Sequence, residues 1–231
     1  MLGKEIIKDF ILDHDEVLKN PNATCADLIE LKDKFYKRYM KKPRITEAII
    51  LRWFHHFLEM DQSVYENEVM KSSVILRSEK KYKADIGNQT LDISILKGSE
   101  LKIGVSIKVS TSTSAYLDGA DFANPVIERY KEHFVKSVEE YNHKYELRKR
   151  IGVPTLLQDM ARIENIQKAR EKRFESLTII FGQKKPKDEF WIREFENNFN
   201  HYYIFLGDTS EKIIKEEIVA KIPSIEQCIF S

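Results

Sequence analysis

The first third of the chain repeats its apolar residues at helical spacing. Apolar positions three and four residues apart predict a series of helices. The predicted helices span residues 5–18, 26–40, 47–60 and 64–80. Thr24 and Thr46 stand where the second and third of them would be capped. Residues 1–80 are therefore predicted to form a helical region that packs on the rest of the chain.

In the next stretch the apolar period changes from helical spacing to strict alternation. The predicted strands cover residues 81–86, 91–96 and 101–110. Short polar sequences with turn-forming residues separate them. The simplest arrangement is a meander of three antiparallel strands.

The remainder of the chain alternates helices with strands. Asn124 and Pro125 are a good cap and first residue for a long helix that would end near residue 150. A second, basic helix is predicted to follow and to end near residue 174.

The last strands differ from the first three. The apolar runs 176–182 and 201–207 do not alternate, as expected of strands covered on both faces, and a predicted helix at 187–199 lies between them. This is a β-α-β unit. No repeat or linker divides the chain, so we expect one α/β domain, with residues 81–231 as its core.

Composition narrows the class of protein. The 231 residues are 42% hydrophobic and 32% charged, which argues against disorder, and the net charge of +1 leaves any nucleic-acid site to local patches. Cys25 and Cys228 lie far apart, which indicates reduced thiols in a cytoplasmic protein. No apolar run reaches membrane length, and no glycine-rich phosphate loop or G-x-S-x-G motif is present.

The polar face of the predicted meander brings chemistry-bearing residues together. Ser106 and Lys108 point away from the apolar face of their strand. An antiparallel register sets Asp92 opposite Ser106, at about 5 Å between Cβ atoms, and diagonal to Lys108 at about 7–8 Å. The same reasoning places Asp85 opposite Asp92.

Such a group suits phosphodiester hydrolysis. Carboxylates of Asp92 and Asp85 could hold Mg²⁺, and Lys108 could position the attacking water and stabilise charge on phosphorus. A solvated Lys–Asp pair on a sheet face is the alternative interpretation.

The order of residues in LDISILKGSELKIGVSIKVSTSTSAY, residues 91–116, resembles the core of the PD-(D/E)xK nucleases, particularly the type II restriction endonucleases. Asp92 matches the first Asp of that motif, with Leu91 where the family usually has Pro, and Lys108 matches its Lys after a separation of 16 residues. The resemblance implies a mixed central sheet of about five strands flanked by helices. It also implies Mg²⁺ as cofactor and double-stranded DNA as substrate, cut by a homodimer.

Ser106 departs from the family pattern, because the family has Asp or Glu at this position. Another acid would have to replace it, and Ser106 would then act as a supporting hydrogen-bonding residue. Asp85 is the first candidate, and Glu66 and Glu68 on the predicted fourth helix are the second. The remaining candidates are Asp118, Asp121 and Glu128.

Two stretches are candidates for DNA contacts. Hydroxyl groups that follow the lysine strand could hold phosphates next to the scissile bond. They belong to Ser110, Thr111, Ser112 and Thr113. The basic stretch 36–44 includes Lys41, Lys42 and Arg44, and is either a phosphate-binding patch or an exposed helix end.

Three functions are compatible with this sequence. The first is a sequence-specific restriction endonuclease. The second is a nuclease for branched repair or junction DNA. The third is a DNA-binding protein that has kept the nuclease fold and lost catalysis.

Overall fold

A mixed sheet of six strands connects the elements of the chain. The computed structural model describes residues 2–39, 44–61, 66–85, 87–109, 115–117, 119–182, 189–207 and 211–228. Within them, the strand order is β1-β2-β3-β4-β7-β8, and a separate pair joins β5 to β6. The prediction of a mixed α/β sheet is confirmed, with six strands in place of about five.

The elements follow one another in two groups. Those before and including the antiparallel strands are α1 (Leu2–Asp13), α2 (Asp15–Lys19), α3 (Cys25–Arg38), α4 (Arg44–Phe57), β1 (Glu68–Lys71), β2 (Val74–Lys83), β3 (Asn88–Lys97) and β4 (Glu100–Lys108). Those that follow are β5 (Ala115–Leu117), α5 (Pro125–Tyr130), α6 (Val138–Glu146), β6 (Ile151–Val153), α7 (Thr155–Arg170), β7 (Glu175–Ile180), α8 (Phe190–Phe199), β8 (His201–Phe205) and α9 (Ile214–Lys221). Short 3-10 helices cover Gly119–Ala123, Lys131–His133 and Pro223–Cys228.

The N-terminal helices largely follow the sequence pattern. Thr24 caps α3 as predicted: its Oγ1 accepts a hydrogen bond from the Asp27 amide at 3.2 Å, and its own amide donates to Asp27 Oδ2 at 2.7 Å. The first predicted helix is interrupted at His14. Thr46 is not a cap, because α4 begins at Arg44 and buries Thr46 in its first turn.

The predicted fourth helix is wrong. Residues 68–83 form the antiparallel strands β1 and β2, with Ser72 in a left-handed conformation at the turn (φ 53°). Val74 and Leu76 are buried and alternate with half-buried neighbours, which is a strand pattern. Pairing with β3 over nearly the whole length of β2 decides the conformation, because this tertiary contact outweighs local propensity.

The predicted long helix after Asn124 is also wrong in its length. Asn124 does cap α5, since its Oδ1 accepts from the Val126 amide at 2.9 Å, and Pro125 is the first helical residue. The helix then ends at Tyr130. Ser137 caps a new helix, α6, by accepting from the Glu140 amide at 3.1 Å.

The C-terminal β-α-β unit is confirmed. β7 pairs in parallel with β4 on one side and with β8 on the other, and α8 connects the two. Helix α7 crosses from the β5–β6 pair back to β7 and ends at Glu171 in a left-handed conformation (φ 54°).

Helices cover both faces of the sheet. On one face Ile93, Val105 and Ile107 belong to an apolar cluster with α1, α3, α4 and α9. On the other, Leu91 and Leu101 belong to a cluster with α5 to α8. Leu91 was predicted to share a face with Ile93. The prediction fails there, although both residues are buried.

No helix in the described ranges is long and apolar enough to cross a membrane.

Gly104 on β4 offers a test of how tightly the second face is packed. A Cβ there would lie 2.6 Å from Phe174 Cε2 and 3.0 Å from Leu91 Cδ1. Gly104→Ala should lower the free energy of unfolding by about 1–3 kcal/mol in urea denaturation, because it overpacks a filled core. Gly152→Ala is the control: nothing lies within 4 Å of its Cβ, and a change above about 0.5 kcal/mol there would contradict the interpretation.

Candidate active site

The ladder between β3 and β4 ends beside Asp92. The last described pair is Ile93 with Val105, and the same register sets Asp92 opposite Ser106, as predicted. Asp92 Oδ2 accepts a hydrogen bond from the Ile107 amide at 2.7 Å. The carboxylate therefore lies directly against the strand that carries Ser106 and Lys108.

Lys108 at the end of β4 forms an ion pair with a residue of α7. Its Nζ lies 3.1 Å from Oδ1 of Asp159 on α7, and its side chain is 23% exposed. Asp159 is 1% exposed. The sequence interpretation did not include Asp159, because only the packing of α7 on β4 brings it to the lysine.

Ser106 is fully buried and belongs to the same network. Its hydroxyl donates to Asp159 Oδ1 at 3.1 Å and accepts from Arg162 Nη2. Arg162 also donates to Asp159 Oδ1 at 2.6 Å and to the Thr90 carbonyl at 2.8 Å. The position where the family pattern has an acid is thus a serine bonded to an acid from α7.

Asp159 is charged in spite of its burial. Burial alone would raise its pKa, but the charges of Arg162 and Lys108 hold the pKa well below its usual range. A hydrogen bond from Thr178 Oγ1 to Asp159 Oδ2, at 2.8 Å, acts in the same direction. Both carboxylate oxygens are therefore occupied by protein donors.

The network continues to a neutral histidine. Thr178 has one hydroxyl proton and gives it to Asp159, so its oxygen accepts from His201 Nε2 at 2.9 Å. His201 Nδ1 then accepts from Ser176 Oγ at 2.8 Å. Burial lowers the pKa of His201 to about 4, which agrees with the neutral form assigned from these bonds.

A second carboxylate, Glu47, belongs to the helix that covers the face of the sheet opposite α7. Glu47 lies in the first turns of α4 and is half-buried. Burial raises the pKa of Glu47, and the negative charges of Asp92 and Glu79 raise it further, while Arg44 and Lys108 oppose them. Glu47 is thus close enough to Asp92 and Lys108 to feel both charges. A single acid at the start of an otherwise apolar helix is the sequence signal that could have identified it.

The pKa of Asp92 is raised, like that of Glu47 and unlike that of Asp159. Burial raises the pKa of Asp92, and the opposing effects of Arg162, the Ile107 amide and Lys108 do not cancel it. Two carboxylates with raised pKa values thus stand on either side of the end of β4. Groups of this kind concentrate at functional sites.

Asp85, the first predicted substitute acid, does not reach Asp92. The register pairs Lys80 with Leu91, which carries Asp85 beyond the end of β2. Its amide donates to the Asn165 carbonyl at 3.1 Å, and its exposed carboxylate lies 3.6 Å from Lys168 Nζ. The prediction was wrong because β2 begins and ends earlier than predicted, so that Lys80 faces Leu91 where the prediction had Ile86, a difference of six residues in register.

The second-choice acids are not on a helix, because their segment is a strand and the residues before it. Glu66 is exposed and lines a cavity of about 420 Å³ together with Glu47 and Glu79. Glu68 is 2.7 Å from Arg77 on the neighbouring strand. Glu66 is therefore near the entrance to the site, and Glu68 is paired elsewhere.

Of the third group, the structure describes Asp121 and Glu128, and of these two Asp121 lies near the lysine. It lines a polar cleft of about 310 Å³ that also contains Lys108, Asp159 and Arg162. Glu128 forms an ion pair with Lys131 at the surface.

The predicted DNA contacts are mostly outside the described residues. The contacts outside the described residues are Lys41, Lys42, Ser110, Thr111, Ser112 and Thr113. Asp118, one of the candidate substitute acids, also lies outside them. Arg44 is described: it is exposed at the start of α4, 3.2 Å from Glu79.

Among the residues that the structure places, no group of three His, Cys, Asp or Glu side chains converges to hold a metal ion. The carboxylates available for a cation at the end of β4 are Asp92 and Glu47.

Comparison of the chain with protein-family models, curated proteins and solved structures gives no match. The functional assignment therefore depends on the residues of the site.

Ionisation of Asp92 should destabilise the fold. A carboxyl whose pKa is higher in the folded than in the unfolded chain contributes stability at low pH, and loses it as pH rises through the folded-state pKa. Asp92→Asn keeps an oxygen that can accept from the Ile107 amide and removes the charge. It should therefore unfold at a higher urea concentration than the wild type at about pH 8, and the advantage should shrink toward about pH 4. A variant less stable than the wild type at the higher pH would contradict this.

Asp159 should behave in the opposite way. Asp159→Asn leaves Lys108 and Arg162 without their shared counter-charge, which should lower the free energy of unfolding by about 3 kcal/mol. We take the low end of the usual range because these two side chains are 23% and 20% exposed. Glu128→Gln, which breaks a surface pair, is the control and should change stability by less than about 0.5 kcal/mol in the same urea titration. Equal effects of the two substitutions would refute the assigned role of Asp159.

Proposed function

We propose that the protein is a Mg²⁺-dependent endonuclease that hydrolyses phosphodiester bonds in double-stranded DNA, of the restriction type. The observation that carries the proposal is the position of Asp92: its carboxylate accepts a hydrogen bond from the Ile107 amide, next to Lys108, and the charges of Asp92 and Lys108 both act on the pKa of Glu47. The element order supports it: a helix, an antiparallel meander, helices and a parallel β-α-β unit resemble the PD-(D/E)xK core.

The carboxylates present fit a magnesium ion. Mg²⁺ is usually held by one or two carboxylates, with the other positions filled by water and substrate phosphate. Asp92 and Glu47 are two such ligands, and a cation between them would relieve the burial and repulsion that raise their pKa values. Asp159 is not a ligand in this proposal, because protein donors occupy both of its oxygens.

Mg²⁺ bound there would polarise the scissile phosphate and lower the pKa of a bound water. Lys108 contributes by position: an ammonium group has three N–H donors, and Asp159 accepts one of them. The others can hold the attacking water and a phosphate oxygen. Ser106 and Arg162 fix the Asp159 carboxylate, which fixes the lysine in turn.

A homodimer is part of the proposal. A palindromic DNA site is read most simply by a two-fold symmetric protein, which would place one copy of the Asp92–Lys108 site on each strand.

A second candidate is a DNA-binding protein that has lost catalysis. It is favoured by Ser106 in the acid position and by the presence of two, not three, converging carboxylates among the residues described. A nuclease for branched DNA is the third candidate, and the substrate used in the assay distinguishes it.

Cleavage assays on the wild type decide among the three. Plasmid and phage DNA should give discrete fragments with Mg²⁺ and none with EDTA. Cleavage of branched but not linear duplexes would instead indicate the repair nuclease. DNA binding without product in either metal condition would indicate the non-catalytic protein.

Substitutions then test the named residues. Asp92→Ala, Glu47→Ala and Lys108→Ala should each lower the cleavage rate by at least about 10²-fold and leave binding of DNA intact, because each removes a group that acts on the reacting phosphate or water. Glu216→Ala is the control, an exposed carboxylate on α9, and should keep full activity. Full activity of the Asp92 or Lys108 variant would refute the assignment.

A further inference from the structure

Three lysines at the end of β2 lie beside the candidate site. Lys80 is opposite Leu91, Lys81 opposite Thr90 and Lys83 opposite Asn88 on β3. Neighbouring strands are about 4.8 Å apart, and Asp92 directly follows Leu91. Successive side chains of a strand alternate between its faces, so Lys80 projects to one side of this end of β2 and Lys81 and Lys83 to the other. Together they surround the backbone that leads into the site.

The positive charges of these lysines are not neutralised within the described part of the chain. All three side chains are exposed, and none forms an ion pair there. Other basic residues of β1 and β2 do form ion pairs: Lys71 lies 2.9 Å from Glu59, and Arg77 lies 2.7 Å from Glu68. Glu79, which precedes the lysines, is itself paired with Arg44 at 3.2 Å.

The end of α7 adds two more cations to this end of β2, on the side to which Lys80 and Tyr82 project. The guanidinium of Arg170 lies 5.6 Å from the ring centroid of Tyr82, between Lys81 and Lys83 in sequence. Lys168 is 43% exposed and lies 3.6 Å from the exposed carboxylate of Asp85. Since one acid stands among five cations, the surface is strongly positive although the whole chain has a net charge of +1.

We propose that this basic strip, Lys80, Lys81, Lys83, Lys168 and Arg170, binds the sugar-phosphate backbone of double-stranded DNA next to the bond that is cut. The identity of the partner rests on the proposed function. Exposed lysines are flexible point charges, so they attract phosphates and do not read bases.

The test is the salt dependence of DNA binding. A triple variant, Lys80→Gln with Lys81→Gln and Lys83→Gln, is compared with the wild type by fluorescence anisotropy on a labelled linear duplex in EDTA, over a series of KCl concentrations. Each lost phosphate contact lowers the slope of log K against log salt by about one, so the triple variant should lose about three. Its affinity at low salt should fall by at least about tenfold.

A second triple variant controls for charge alone. Lys212, Lys215 and Lys221 lie at or just before α9, which packs on β8 at the opposite edge of the sheet. Two of them are already paired, Lys212 with Glu217 at 2.9 Å and Lys221 with Glu196 at 2.7 Å. Their replacement by Gln should leave the slope unchanged, and thermal unfolding of each variant checks that it is folded.

These outcomes test DNA binding by the basic strip independently of DNA cleavage by the candidate site. An unchanged slope in the β2 variant, or an equal loss in the α9 variant, would overturn the strip even if the wild type cleaves DNA. A reduced slope in the β2 variant alone would support the strip even if no cleavage is found. Tighter binding of polyglutamate than of DNA, lost in the same variant, would also overturn it, since the partner would be an acidic polypeptide.

Discussion

The buried carboxylate of Asp159 is the interaction on which the centre of the structure depends. A charge without solvent must be paired and hydrogen-bonded, or it neutralises. Asp159 is satisfied by Lys108 and Ser106 from β4, Thr178 from β7 and Arg162 from its own helix. Since these donors belong to three elements, one carboxylate fixes α7 against the two central strands.

The three acids around Lys108 have different tasks because their surroundings differ. Asp159 has cations and hydroxyl donors on both oxygens, so its pKa is lowered and its charge stabilises the fold. Asp92 and Glu47 are desolvated without full compensation, so their pKa values are raised and their charges work against folding. Carboxylates of one kind thus separate into one acid whose charge stabilises the fold and two acids whose charges oppose it. This is the usual signature of a site kept for function at some expense of stability.

The structure gives Ser106 a role that its position in the sequence does not predict. A serine in place of a family acid could indicate that catalysis has been lost. In the structure the serine hydroxyl bonds the carboxylate that holds Lys108, and a different acid, Glu47, stands near Asp92. In the proposed nuclease, acids from two helices would take the place of the carboxylate that the family pattern has on β4: Asp159 of α7 and Glu47 of α4. On this basis we favour an enzyme over a catalytically inactive relative.

The sequence by itself determined the local features whose causes are local. The caps at Thr24 and Asn124, the alternation of β3 and β4, and the apolar strands of the β-α-β unit follow from residue type and spacing, and the structure confirms them. The nearness of Asp92 to Ser106 could also be predicted, because matching the apolar positions of the two strands selects this register. The strands reach it through an irregularity between Ile95 and Leu96.

Tertiary structure decided the rest. Residues 74–83 became a strand because β3 offered a partner along their length, and residues 68–71 then paired with that strand. The register of the β2–β3 pairing moved Asp85 away from the site. Asp159 and Glu47 lie 51 residues after and 61 residues before Lys108, so no local pattern connects them to it. Helix packing on the two faces of the sheet brings them to the lysine, and such contacts depend on the whole fold and not on spacing along the chain.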